Sequence, residues 1–189
     1  MADLLAVVQP SRAPGALSAG GPSHLCPETI CYDGLMNTAM AQKILREIQY
    51  ATIATVCADG APWNTPVFCA CDEAGQIYWS SRPDAVHSRN LQRDPRAFIV
   101  IYNSKAGEGE GVGLYLDAKV EMIEDPAEIK TALKLLGNRR GKPFKYPAKF
   151  IGEGPQRIYR ATAHKAWTNG ADLDQDGDFI RDYRVELGL

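Results

Sequence analysis

No apolar run in the 189-residue chain approaches the roughly 20 residues that a membrane-spanning helix needs. The short apolar patch LLAVV follows Asp3 and no basic segment, which argues against a secretory signal and predicts a cytoplasmic protein without a membrane partner. Excess charge of one sign is missing too: 21 Lys and Arg stand against 23 Asp and Glu, a formal net charge of −2. That balance argues against a nucleic-acid binder driven by bulk positive charge, yet it leaves room for a local basic pocket.

Cysteine is sparse and odd in number, with Cys26, Cys31, Cys57, Cys69 and Cys71. An odd count in a chain of this size does not read as a disulfide framework. No second Cys-x-x-Cys and no Cys/His spacing completes a zinc set, so no metal site is expected. Cys69 and Cys71 share one face of a strand, where small buried residues are the plainer reading and metal ligands the minor one. The state of Cys26 and Cys31 stays open. Of the three histidines, His24, His87 and His164, none has a nucleophile-elbow context, and no glycine-rich loop follows a strand in the Rossmann or P-loop manner. "DLDQDGDFIRDY" places Asp172, Asp174, Asp176 and Gly177 as an EF-hand loop would, but Tyr183 stands where the bidentate glutamate belongs. Its flanks read as strands, so the segment is expected to be an acidic hairpin tip.

What is present is a tail followed by a β-rich domain. Residues 1–35 are rich in Ala, Pro, Gly and Ser, without periodicity, and are expected to form a flexible extension. Residues 36–189 carry the pattern of one domain. Asn37 or Thr38 is expected to cap a helix whose apolar side holds Met40, Ile44, Leu45 and Ile48. Strand-prone runs follow, with turn signals at Asp59-Gly60 and at Glu73-Ala74-Gly75. "AFIVIYN" reads as a strand buried on both faces. "DPAEIKTALKLLG" reads as a helix capped by Asp125, with Pro126 in its first turn and Gly137 as its left-handed stop. About six strands at hairpin spacing, with few and short helices, predict a mainly β fold: an antiparallel barrel.

One strand-to-helix turn gathers anion-friendly groups: "YWSSRPDAVHSRNLQRDPR", residues 78–96. The free N–H groups and dipole of a helix start favour negative charge, and Ser81, Arg82, His87 and Ser88 can all donate to phosphate oxygens. Asp84 is placed to cap that helix. On this stretch alone, an ordinary capped surface helix accounts for the residues as well. A second basic segment, "NRRGKPFKYPAKF" (138–150), reads either as a solvated connection or as a flap that attracts an anionic substrate or a reduced nicotinamide phosphate.

The succession "ATIATVCADGAPWNTPV", "IYWSSRPDAVHSRNLQRDPRAFIVIY", "GEGEGVGLYLDAKVEMIEDP" and "RIYRATAHKAWTNG…DFIRDYRVEL" resembles the pyridoxamine 5′-phosphate oxidase-like, FMN-binding split-barrel superfamily over residues 38–187. The resemblance implies a six-stranded antiparallel split β-barrel that forms a homodimer, with FMN in two clefts at the interface. It implies that Ser80, Ser81 and Arg82 meet the phosphate or ribityl chain, with His87 where many relatives carry a lysine, and Ser88 next. It lays Asn64, Thr65, Pro66 and Val67 along the flavin ring, through backbone groups. It brings Trp167 to the flavin from the partner chain, although a core or interface role also suits a tryptophan there. The glycines of "GEGEG" (107–111) would lie near the flavin.

Two departures stand out. The oxidases proper have an Arg and a Lys in the strand where this chain has "NTPVFCAC", and their C-terminal Arg-Leu-His has no full counterpart in "FIRDYRVEL". The resemblance therefore implies an FMN-dependent oxidoreductase acting on an unidentified small substrate, with NAD(P)H as a candidate donor, rather than vitamin B6 oxidation. A non-catalytic flavin-binding or redox-sensing protein, or a barrel using deazaflavin F420 or haem, is the alternative. No catalytic acid or base is forced by the residues, because the flavin carries the chemistry. With His87 in place of lysine, FMN affinity is expected to fall as pH rises through about 6.5, the ordinary histidine pKa.

Overall fold

The protein is described by a computed structural model covering residues 34–145 and 147–188, with side chains from residue 39. Most of the expected tail, with His24, Cys26 and Cys31, lies outside the described residues. The order is α1 (Gly34–Glu47), β1 (Tyr50–Val56), β2 (Pro62–Cys71), β3 (Ile77–Ser81), α2 (Val86–Arg93), β4 (Arg96–Tyr102), β5 (Gly113–Ile123), α3 (Pro126–Arg139), a 3-10 turn (Pro147–Phe150), β6 (Arg157–Leu173) and β7 (Phe179–Leu187).

Every strand pairing is antiparallel. The sheet order is β3-β2-β1-β4-β5-β6-β7, and an extra pairing of β3 with β6 joins its ends. Six strands therefore close a barrel, and the seventh, β7, pairs only with β6 outside the ring. β6 can serve three neighbours because it is 17 residues long. Residues 158–161 lie between β3 and β5, residues 166–168 between β5 and β7, and residues 169–173 pair with β7 alone.

Side-chain alternation fills the barrel. Ile53, Ile99, Ile101, Leu114, Trp79 and Tyr159 are its most buried large residues. Trp79 and Tyr159 stack at 5.7 Å between ring centroids. α1 packs Ile44 into this core, with Met40, Leu45 and Ile48 beside it, as the helical spacing predicts. The helix already begins at Gly34, so Asn37 and Thr38 lie within it rather than at its cap. A second core forms outside the barrel, where Ile129, Ala132, Leu133 and Leu136 of α3 cover Tyr78, Ile123 and Ile158. Arg160 fastens α3 to the sheet, reaching Glu128 and Glu121 at 2.6 Å each.

The expected turns form where the sequence marks them. Backbone bonds close the hairpins at Cys57–Ala61 and at Asp72–Gln76, and residues 174–178 form the tip joining β6 to β7. α3 has Asp125 as its cap, accepting from Glu128 N at 2.8 Å, with Pro126 in the first turn. Its stop is not Gly137, which stays inside the helix and is buried. The left-handed residue is Gly141 (φ +73°). There Gly141 N bonds to Asn138 O and Lys142 N to Gly137 O, the paired bonds that close a helix C-terminus. Gly137 serves packing instead: a Cβ on it would lie 3.4 Å from Lys142 O and Pro143 Cα.

β4 also departs from expectation. It is not buried on both faces: Ile99 and Ile101 enter the core, while Phe98 and Val100 are half-buried and Tyr102 is 54% exposed. The outer surface of β1 and β4 therefore presents apolar side chains.

Two substitutions test the ends of α3. Asp125→Ala removes a side-chain cap, and Gly141→Ala forces a Cβ into left-handed backbone. Each is expected to cost about 1 kcal/mol, lowering Tm by about 2–4 °C in a thermal melt. An unchanged Tm for Gly141→Ala would contradict the assignment of the stop.

Candidate functional site

The strand-to-helix turn after β3 lies at one end of the barrel. Barrel closure sets Ser81 opposite Arg157 and Trp79 opposite Tyr159. Alternation along β3 then separates two residues expected to act together. Ser81 shares the inner face with Trp79, whereas Ser80 shares the α3-facing side with Tyr78 and Ile158.

α2 sits across the ends of β1 and β2. Buried Asn90 fixes it there, donating to Thr55 Oγ1 at 3.0 Å, while Thr55 Oγ1 donates to Trp63 O at 3.4 Å. Arg93 adds a bond to the Val56 carbonyl. One short helix thus links β1, β2 and the β3 turn. That linkage brings the expected ring-binding segment Asn64–Val67 beside the expected phosphate-binding turn. Asn64 and Pro66 project outward and are exposed, Thr65 bonds with Trp63 Nε1 at 2.9 Å, and the Val67 side chain is buried in the barrel.

His87 is nearly buried (7% exposed), and its Nε2 lies 2.8 Å from Ser81 Oγ. Burial pushes its pKa below the ordinary 6.5, so the resting imidazole is neutral at neutral pH. The expected cation is therefore a neutral hydrogen-bonding group until an anion arrives. Ser88 faces away from any ligand approaching from solvent. It is fully buried, and its hydroxyl sits beside that of Tyr159, though neither makes a hydrogen bond of ordinary geometry. Asp84 does not cap α2. Ala85 occupies the cap position and offers no side-chain acceptor. The Asp84 carboxylate instead grips Arg82 through two bonds of 2.9 Å, which holds the carboxyl below its ordinary range. Arg89 donates to the Asp84 carbonyl.

Arg157 is the residue that sequence reasoning missed. It stands beside Ser81 across β3–β6, and its guanidinium holds the carbonyls of Gly152, Gly154 and Gln156. Only the closure of the barrel, between strands far apart in sequence, reveals this neighbour.

Trp167 lies elsewhere. It pairs with Tyr115 and Glu186, and its ring tilts against Phe98 at 6.3 Å between centroids. Arg184 covers Tyr115 and Phe98, 4.4 and 5.3 Å from their ring centres. β6 meets the turn at its first residue, Arg157, whereas Trp167 stands ten residues further along the strand (157 to 167) and packs on the outer face of β4, so within one chain it does not join the α2 cluster. The glycine-rich loop goes with Trp167, since Asn169 bonds both Gly111 O and Gly113 N.

The basic segment expected as a flap is not placed over this turn in its described parts: it begins as the last turn of α3, residues 141–144 and 147–150 lie against that helix, and Arg140 stacks on Phe144. No helix among the described residues is long and apolar enough to cross a membrane.

Comparison with known proteins agrees with this architecture. No curated protein matches the chain. Among solved structures, an F420 reductase is 20% identical (TM-score 0.51), over 66% of this chain and 94% of that one. A haem-binding protein from Mycobacterium smegmatis is 20% identical (TM-score 0.55), over 77% and 57% respectively. An FAD-binding protein from Mesorhizobium loti is 18% identical (TM-score 0.53), over 69% and 91%. At these identities the likeness shows the fold alone. The sequence profile described as pyridoxamine 5′-phosphate oxidase matches residues 38–170, which spans the barrel from α1 into β6. On that match, which covers well over half of the chain, the chain belongs to the pyridoxamine 5′-phosphate oxidase family.

Proposed function

We propose that this chain is an FMN-dependent oxidoreductase that works as a homodimer on a small substrate. The observation that carries this reading is the turn from β3 into α2. His87 meets Ser81 there, with Arg82 next along the chain and held by Asp84, at a helix start whose cap residue, Ala85, supplies no side-chain acceptor of its own. Such a donor set suits a phosphate monoester, because unpaired N–H groups and the helix dipole favour an anion. Bound FMN would supply reversible hydride acceptance; the chain's part is to hold it and exclude water. Ser81 and His87 would bond phosphate oxygens, and Arg82 would exchange Asp84 for the ligand. Backbone groups of Asn64–Val67 would line the ring.

The homodimer is supported by the half-exposed apolar face of β1 and β4. Tyr50, Val56 and Tyr102 are all at least half exposed there, beside Phe98 and Val100. A patch of this kind marks an association surface. Covering it with a second copy would also bring a Trp167 from another chain toward the cleft. Haem is less well served. Of the described candidates beside α2, His87 Nε2 is engaged with Ser81 and Cys57 Sγ lies 3.5 Å from the Asn90 amide, so each would have to give up its partner to serve as an axial ligand. Deazaflavin F420 remains the rival, and direct titration separates it from FMN.

The first test is an absorbance spectrum and light scattering on one sample after FMN addition and removal of excess. A dimer retaining about one flavin per chain is expected, with bleaching on addition of a reduced nicotinamide. A monomer, or a protein that releases FMN but retains F420, would overturn the corresponding part of the reading.

Asp84→Asn frees Arg82 from its internal partner. Tighter FMN binding, by about two- to fivefold, is expected in a fluorescence-quenching titration, since the exposed pair is weakly held. Weaker binding would mean that Asp84 positions Arg82 rather than competing for it.

The pH dependence follows from His87. Its free-state pKa lies below 6.5, and a neighbouring phosphate raises it, so binding takes up a proton between the two values. FMN affinity should therefore fall as pH rises from the free-state pKa, below 6.5, to the ligand-raised one, and level off above it. His87→Gln removes this component, while titration of the ligand's own phosphate stays common to both proteins. Superimposable profiles for the two proteins would rule out His87 as the titrating contact.

A further inference from the structure

A groove of about 760 Å³ runs along the edge of α3, between the helix and the stretch that returns after it. α3 supplies Lys130, Lys134 and the margins of Ile129 and Leu133, whose bulk is buried against the barrel, and the returning stretches 141–144 and 147–151 supply the opposite wall, including Phe144 and exposed Ile151. That volume lies within the range of small-molecule sites, which are apolar clefts with a few placed polar groups. The groove is separate from the turn at α2, and nothing in the flavin reading uses it.

The wall is built rather than draped. The turn at Gly141 anchors it, with Lys142 N bonded to Gly137 O at 3.0 Å. Because Gly137 has no side chain, the returning backbone packs directly on the helix. Phe144 is clamped between the Arg140 guanidinium, 4.2 Å from its ring centre, and the ring of Phe150, in edge contact at 5.2 Å. A preformed wall means that a ligand would not have to order it on binding.

Charge selects the ligand. The lining holds three lysines, Lys130, Lys134 and Lys142, and no acidic residue. No ion pair engages these three lysines among the described residues. Lys130 and Lys134 stand one helical turn apart, on the same edge of α3. An apolar trough with cations along its rim complements an aliphatic chain ending in an anion. The apolar side chains lie in a recess, which admits a single chain more readily than the flat surface of a bilayer.

We infer that the α3 groove is a binding site for a free, single-chain amphiphilic carboxylate of the fatty-acid class. The chain lies against Phe144 and Ile151, over the margins of Ile129 and Leu133, and the carboxylate meets the lysine rim.

The test is calorimetric titration of the full chain with dodecanoate, kept below its micelle concentration, against dodecyltrimethylammonium as the control of opposite charge. Saturable binding at one per chain is expected, at least about tenfold tighter for the carboxylate. The exposed pair Lys130→Glu/Lys134→Glu should weaken dodecanoate binding by about tenfold or more, with Tm and FMN retention unchanged. Ile151→Asp, on the opposite wall, should weaken it as well without touching the rim lysines. Equal binding of both amphiphiles, no saturable binding, or indifference to both variants would overturn the site. Lysine-dependent co-sedimentation with phosphatidylglycerol vesicles, in the absence of dodecanoate binding, would assign the groove to a membrane surface and overturn the proposal in that way.

Discussion

The pairing of β3 with β6 is the constraint on which the rest depends. β3 has only five residues, and all five pair with β6. This ladder turns an open meander into a closed ring, stacks Trp79 on Tyr159 at the centre of the core, and places Ser81 beside Arg157. It also fixes where β3 ends, and therefore where α2 begins. Without closure, the chain would still carry Ser81, Arg82 and His87 in order, but nothing would hold them at the end of a rigid barrel. A site on such a scaffold inherits its precision from packing that lies outside the site.

Closure has a second consequence, through alternation. Because β3 is covered by the barrel core on one side and by α3 on the other, adjacent residues serve different cores: Trp79 inside, Tyr78 outside. The side chains of Ser80 and Ser81 therefore point to opposite faces of the strand. Ser81 stays with His87, and Ser80 goes with the α3 side. The same rule leaves β4 with one face in the core and one face open, although its sequence is apolar throughout.

The legible parts of the fold were those written in local chemistry. The hairpin turns at Asp59-Gly60 and Glu73-Ala74-Gly75, the cap at Asp125 and the apolar stripe of α1 each follow from a few neighbouring residues. The stop of α3 was misassigned because two glycines compete for it. Gly137 looks like a terminus in sequence, but its role is to let the returning backbone approach the helix, while Gly141 adopts the left-handed conformation. The site was legible as a cluster of residue types and opaque in its internal pairing. Asp84 has the composition of a helix cap, yet it bonds Arg82, because a guanidinium two residues away offers it two charge-assisted bonds. Ser88 turns inward because the α2 face that carries it is the one packed on the barrel. Arg157 had no local signal at all.

These pairings bear on how the site could discriminate among ligands. At rest Arg82 is compensated by Asp84 and His87 is held uncharged by burial, which leaves Arg157 and Arg89, bonded to carbonyls, as the standing cations beside the turn. The positive charge of the site would grow when a ligand displaces Asp84 and offers His87 a reason to take a proton. A phosphate monoester can do both at once, presenting several acceptor oxygens and a charge near −2 at neutral pH. A haem asks for something different, an axial ligand, and His87 and Cys57 nearby already have partners. Barrels of this shape are shared by proteins with several cofactors, so the fold does not choose among them. On the proposed reading the choice would rest with the side chains at the β3–α2 turn, whose internal pairs an anion with several oxygens would be suited to displace.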